Sequence, residues 1–334
     1  MNNLMQRCRG AEIRAQRRNG AETLTLMWVW AIILVLTACT RQGGALQPSS
    51  GGRMYEVLVV GDRDSLVRGV LQQDAPGLPQ QEPLFDVSSI DSVAFGIGVR
   101  QARTIVMVTI RPDIATQTTL RYEKDVYAAP QIIATLVSPS MAQLRQDLPR
   151  LAPRLRQLLD RAELNTLIAE LRRHRNVKME QKVRERFGTT PCIPADMVAS
   201  KEDRDFHWMS NNSATAMQNI VVYRTSRLCA LPEAYCRQRD SVMQANIKGE
   251  TDAMFMQTVP GTVTATRTTI GQRPVIVHRG LWEMRGDAMG GPFVSHTIKT
   301  DSGYLTVEGF VFAPGTKKRN KMKQLEAALC TLND

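Results

Sequence analysis

The sequence predicts an α+β fold of antiparallel sheet packed with helices. Three observations carry that expectation. Segments dense in β-branched and aromatic residues follow one another at 263–269, 275–285, 293–300 and 304–313, the composition of strands. Leucines recur at helical spacing beyond Ser140. Strands and helices mix without the strict alternation of a parallel α/β fold. Both halves of the body run strand, helix, strands, helix, so two similar α/β halves are a further expectation.

The N-terminus reads as a removable leader. Arg7, Arg9, Arg14, Arg17 and Arg18 precede an apolar run from Leu24 to Ala38, and Leu36-Thr37-Ala38-Cys39 closes it. A basic region, an apolar region and small residues before a cleavage point make a signal peptide. The cysteine makes it a lipobox, with Cys39 as the acylation site and new N-terminus, its thiol carrying a diacylglycerol that a palmitate analogue would label. A spanning helix needs roughly 20 apolar residues, more than this run supplies. Residues 40–53 are rich in Gly, Ser, Gln and Pro and read as a flexible tether, reaching about 20 Å at ~5–6 Å × √n. Thr40 rather than Asp follows the cysteine, which points to the outer membrane. The first acidic residue after Cys39 is Glu56, which points to its periplasmic face.

The chain carries a net charge of +11, and with the leader removed it keeps +8. Basic proteins seek polyanions. No aromatic-interleaved basic motif of a nucleic-acid binder is present, so the expected partners are the membrane, through the lipid, and an anionic lipid or acidic protein. No cofactor and no metal is expected.

The body divides at residue 187 into an N-terminal half, 54–187, and a strand-rich C-terminal half, 188–334. Residues 55–60 read as a buried strand, 64–73 as a helix and 76–83 as a loop. Segments 92–99 and 104–110 read as a strand pair, with a further strand at 130–137. Ser140 and Gln143 form a capping box. Leu144, Leu148, Leu151, Leu155 and Leu158 then define a helix face. Pro149 and Pro153 predict a kink or two helices there. Gly188 ends the helical region. Strands are expected at 189–193, 206–210 and 219–223, a helix at 233–246, and a closing helix at 317–329 with Met322, Leu325, Ala328 and Leu329 inward.

Four cysteines remain beyond the tether: Cys192, Cys229, Cys236 and Cys330. An oxidising compartment permits disulfides, and Cys229 and Cys236 form the candidate pair across a short loop. Free thiols are the alternative. The C-x6-C spacing does not suit zinc.

Several segments resemble a family of bacterial envelope lipoproteins, domain of unknown function 4837. They include 77–86, 129–131, Arg239-Asp240-Ser241-Val242, Arg279-Gly280-Leu281-Trp282-Glu283-Met284, 289–295, and 308–314 with Lys317-Lys318-Arg319. The resemblance spans nearly the whole chain beyond the tether. It implies a lipoprotein and no activity.

No zincin, nucleophile-elbow, P-loop or S-x-x-K motif occurs. The richest polar cluster is His278, Trp282, Glu283, Asp287 and His296 around Gly290-Gly291-Pro292. The two histidines, on flanking strands, are placed to face each other across a hairpin. As a pocket this cluster binds a ligand or works by acid–base chemistry. As plain structure it is a hairpin with a Gly-Gly-Pro turn and a core tryptophan. Lys317, Lys318 and Lys321 form a basic patch on the outward side of the last helix. The resulting expectation is a lipid-anchored, non-enzymatic binding or scaffold protein. The alternative is a hydrolase or carbohydrate-processing enzyme built on Glu283, Asp287 and the histidines.

Overall fold

The computed structural model describes residues 47–332. Cys39 and the leader lie outside the described residues. From Ser49 onward the chain forms one unit built on two sheets. The α+β class is as expected.

The first sheet is ordered β2-β1-β3-β5-β4, from β1 (Glu56–Val60), β2 (Asp86–Ile90), β3 (Thr104–Ile110), β4 (Thr119–Lys124) and β5 (Ile132–Ser138). Its pairings β1–β2, β1–β3 and β3–β5 are parallel, and only the edge strand β4 runs antiparallel. The second sheet is ordered β10-β11-β12-β13-β8-β7-β6, with β9 (Phe255–Thr258) also on β11, and is antiparallel throughout. Its strands are β6 (Ala199–Asp203), β7 (Phe206–Ser210), β8 (Met217–Thr225), β10 (Thr264–Ile270), β11 (Arg273–Arg285), β12 (Gly290–Thr300) and β13 (Gly303–Phe312). The antiparallel expectation therefore holds for the second sheet. The two halves do not share a topology, so the similarity expected between them is absent.

One face of the first sheet packs under α1 (Leu66–Leu71) and α2 (Met141–Arg173). Ser140 caps α2 by accepting from the Gln143 N–H at 3.1 Å. Leu144, Leu148, Leu151, Leu155 and Leu159 form its buried stripe. The helix continues through Pro149 and Pro153 as one element. Both prolines are exposed, on the side away from the leucine stripe that holds the helix to the sheet. The other face, with Val60, Ile105 and Ile133, is crossed by the irregular segment 91–103. The strand expected at 92–99 is part of that crossover, a single 3-10 turn (Ser92–Ala94) followed by loop.

Helix α3 (Val177–Phe187) starts at the cap Asn176 and stops at Gly188, whose φ of 79° suits glycine. Its Met179, Val183 and Phe187 join the core of the second sheet, so the packing boundary falls between α2 and α3. Residues 189–193 are unpaired with any strand, though 190–193 are buried, contrary to expectation. The second sheet is covered on both faces. Val277, Val294, Val307 and Ile220 meet α3 and α5 (Arg319–Leu329) on one side. Trp282, Phe293, Phe310 and Tyr223 meet α4 (Pro232–Asn246) on the other. Helix α5 is buried on two sides: Leu325 and Leu329 against this sheet, Ala327 in the core under α2. Among the described residues no helix is long and apolar enough to cross a membrane.

Candidate functional site

The register of β11 with β12 decides the fate of the expected cluster. His278 pairs with Ser295, and Val277 with His296. The two histidines therefore point to opposite faces of the sheet and cannot meet. His278 lies on the α4 side, its ring stacked on Tyr235 at 3.8 Å. His296 lies on the α5 side, near Glu326. Both are buried, and burial pushes each imidazole down to about 4. Glu283 sits opposite to Trp282 along the strand and accepts from Gln257 Nε2 at 2.8 Å. The connection turns at Gly286, with φ of 83°. Gly290, Gly291 and Pro292 lie inside β12 rather than in the turn. A Cβ on Gly291 would come 2.0 Å from the Val311 carbonyl oxygen, so the glycine there permits close strand approach.

Trp282 and Asp287 alone of the five share a hollow. It has a volume of about 350 Å³ and opens at the end of the second sheet, on the α4 side. Trp208, Trp282, Phe310 and Phe312 wall it, with Met217, Met254, Met256, Met284 and Met289. Lys248, Glu250 and Asp287 stand exposed at its mouth. Trp208 donates from Nε1 to Asn219 Oδ1 at 2.9 Å. Trp282 is 2% exposed, and its indole N–H finds no acceptor among the described residues. An unsatisfied buried donor costs about 1–3 kcal/mol. Methionine thioethers are soft and adapt to varied apolar shapes.

Residues 176–331 match the family described as Domain of unknown function (DUF4837). The antiparallel half belongs to that family. Residues 50–172 match a second family, Domain of unknown function (DUF8532). The segments at 77–86 and 129–131 thus fall in the DUF8532 half, and the DUF4837 resemblance does not extend to them. No curated protein matches the chain.

Beneath the hollow, the DUF4837 half holds a polar network that the sequence reading missed. Arg239 on α4 donates to Glu308 on β13 through Nε and Nη2, the latter at 2.7 Å, and through Nη1 to Thr258 at 3.1 Å. Tyr235 donates to Glu308 at 3.0 Å and contacts Ser295 at 2.7 Å. Burial disfavours the Arg239 charge, but Glu308 beside it prevails and raises its pKa. Burial likewise holds the Tyr235 hydroxyl protonated. The available signal was Tyr235, Arg239 and Met243 at four-residue steps on one helix face. Arg239 Nη2 also reaches Met256 Sδ at 3.5 Å, which ties the network to the wall of the hollow.

A second cleft, about 270 Å³, lies between α2, α5 and the loop 75–84. Its charges largely satisfy one another. Arg279 pairs with Glu326, Lys323 with Asp160 at 2.6 Å, and Arg319 with Asp86 at 2.8 Å. Burial alone would raise the Glu326 carboxyl, but Arg279 and Lys323 bring it down to about 2.

The remaining expectations need correction. Lys318 is buried, its Nζ donating to Gln80 and the Thr316 carbonyl. The cause is Glu82, which accepts the Lys318 and Arg319 backbone N–H groups at 2.7 and 3.0 Å and draws the start of α5 onto the loop. Only Lys317 and Lys321 of the expected patch face outward. Cys229 and Cys236 are free thiols, as are Cys192 and Cys330. Helix α4 carries Cys236, whereas Cys229 lies in the preceding loop against the core of that face.

Proposed function

We propose that this protein is a lipid-anchored envelope protein, facing the periplasm from the outer membrane, that binds an apolar ligand or partner group in the methionine–tryptophan hollow. The single observation that carries the binding reading is the wall of the hollow itself, four aromatic side chains and five methionines beneath the charged Lys248, Glu250 and Asp287. Ligand sites combine apolar walls with a few placed polar groups. The anchor reading rests on Leu36 to Cys39. The hydrolase alternative draws less support. Its histidines are interior on opposite faces, and its two carboxylates are split between the hollow and the far side of β11.

Two measurements test the two parts. Cys39→Ala should release the protein from membranes and abolish labelling by a palmitate analogue. Unchanged labelling overturns the anchor. With the leader removed, Trp208 and Trp282 are the remaining tryptophans, and both line the hollow. Titration with laurate should shift their emission saturably. Emission that stays constant with laurate and with a neutral naphthalene dye overturns the binding reading.

A further inference from the structure

We propose that the edge of the DUF8532 half formed by the loop 95–101 and the β4–β5 turn rests on an anionic lipid surface. This orientation builds on the reading that Cys39 carries a lipid.

The chain enters the folded body at this edge. Ser49 bridges to Ala129 and Gly51 to Ala102, both as parallel partners. The Ser50 N–H donates to the Ala129 carbonyl at 3.2 Å, and Arg103 Nη2 donates to the Gly52 carbonyl at 2.8 Å. Ten residue steps separate Cys39 from Ser49. At most they span about 35 Å, at ~3.3–3.6 Å per residue. A lipid at Cys39 therefore keeps this edge within that distance of the bilayer and raises its effective concentration there.

The side chains at the edge suit that surface. Ile97 is 81% exposed, Val126 40% and Tyr127 37%. The Arg100 guanidinium lies 5.5 Å from the Phe95 ring centroid and 5.4 Å from that of Tyr127, so the two segments form one patch. Exposed apolar tips with tyrosine and arginine match the chemistry of a membrane interface. Beside the patch a cleft of about 250 Å³ carries Arg103, Lys124 and Arg173 in its wall. Two carboxylates also line it: Glu163, engaged by the Thr104 hydroxyl at 2.7 Å and the Tyr55 N–H at 3.2 Å, and Asp125, which accepts from the Gln131 N–H at 2.8 Å. Arg103 Nη1 is 3.7 Å from Glu163 and forms no hydrogen bond. Lys124 and Arg173 are exposed. Such cations favour phosphate-bearing headgroups, and salt screens the attraction.

The test is hydrogen exchange on the full acylated chain, in phosphatidylglycerol-containing vesicles and in detergent. Peptides 93–101 and 123–131 should exchange several-fold more slowly on vesicles. Peptides 194–204 and 226–233, which carry the exposed Val198, Leu228 and Leu231 of the DUF4837 half, should not change. Ile97→Asp with Val126→Asp should remove the slowing while the chain stays on the vesicles. An acylated chain whose 93–101 and 123–131 peptides are not slowed overturns the orientation alone. An N-terminal peptide without the acyl mass overturns the anchor and this orientation with it.

Discussion

Arg239 on α4 and Glu308 on β13 form a fully buried ion pair, with both side chains at 0% exposure. The pair fixes the helix to the sheet at one register, because Thr258 and Tyr235 complete its hydrogen bonds. The Arg239 guanidinium also lies 4.2 Å from the Phe293 ring centroid, a desolvated cation–π contact.

Removing either partner leaves an uncompensated buried charge. Arg239→Ala or Glu308→Ala should each cost about 3–5 kcal/mol, read as a lowered urea midpoint. Arg239→Met with Glu308→Leu should cost less than either single change, because no charge then remains in the apolar interior. A double variant as unstable as the sum of the singles would contradict this account.

Legibility in the sequence followed the density of β-branched and aromatic residues. Strands β10 to β13 were readable because each is dense in β-branched or aromatic residues. Strands β2 and β4 were missed because both are edges of the first sheet with polar sequences, Asp86-Val87-Ser88-Ser89-Ile90 and Thr119-Leu120-Arg121-Tyr122-Glu123-Lys124. Edge strands bury too little to show alternation, and these two lack the β-branched density that made the exposed edge strand β10 readable. The parallel order of β1, β3 and β5 comes from crossovers, which composition does not encode. At the site, Trp282 and Asp287 were legible as neighbours of a pocket. The histidine pairing failed because a one-residue change in register moves a side chain to the other face. Arg239 and Glu308 were hidden because they are distant in sequence and charged residues are rarely core.

Glu82 is 1% exposed and accepts two backbone N–H groups at the start of α5. A carboxylate at a helix N-terminus both caps it and complements its dipole. Glu82→Ala should lower stability by about 1–3 kcal/mol through the unsatisfied N–H groups. Lys318 should become more accessible to amine acylation in the same variant. Glu82→Gln, which still accepts a hydrogen bond, should lose less.

Gly291→Ala tests the close approach of β12 to β13. The added Cβ would meet the Val311 carbonyl oxygen at 2.0 Å and approach Trp282 Nε1 at 3.3 Å. Backbone must move, so the variant should unfold at markedly lower urea and its Trp282 emission should redden. Gly98→Ala, with nothing within 4 Å of the new Cβ, should leave both readings near those of the parent chain.

Acid should destabilise the fold in two steps. Folded His278 and His296 are held neutral down to about 4 by burial, whereas unfolded histidine protonates near 6.5. Between those values the unfolded state binds more protons, so stability rises with pH across the window and is lost as pH falls through it. Each histidine contributes up to about 3 kcal/mol by that shift, at 1.36 kcal/mol per unit. Glu326 acts lower. Its carboxyl sits at about 2 when folded against 4.5 otherwise, so its contribution is present above 4.5 and disappears as pH falls toward 2. Urea midpoints should therefore decline from pH 7 to pH 4.5 and fall further below. His278→Phe, which keeps a ring against Tyr235, combined with His296→Phe, should flatten the first decline and leave the second. An undiminished slope between pH 6.5 and 4.5 in that double variant would assign the acid sensitivity to other groups, of which His207, also lowered by burial, is the next to replace.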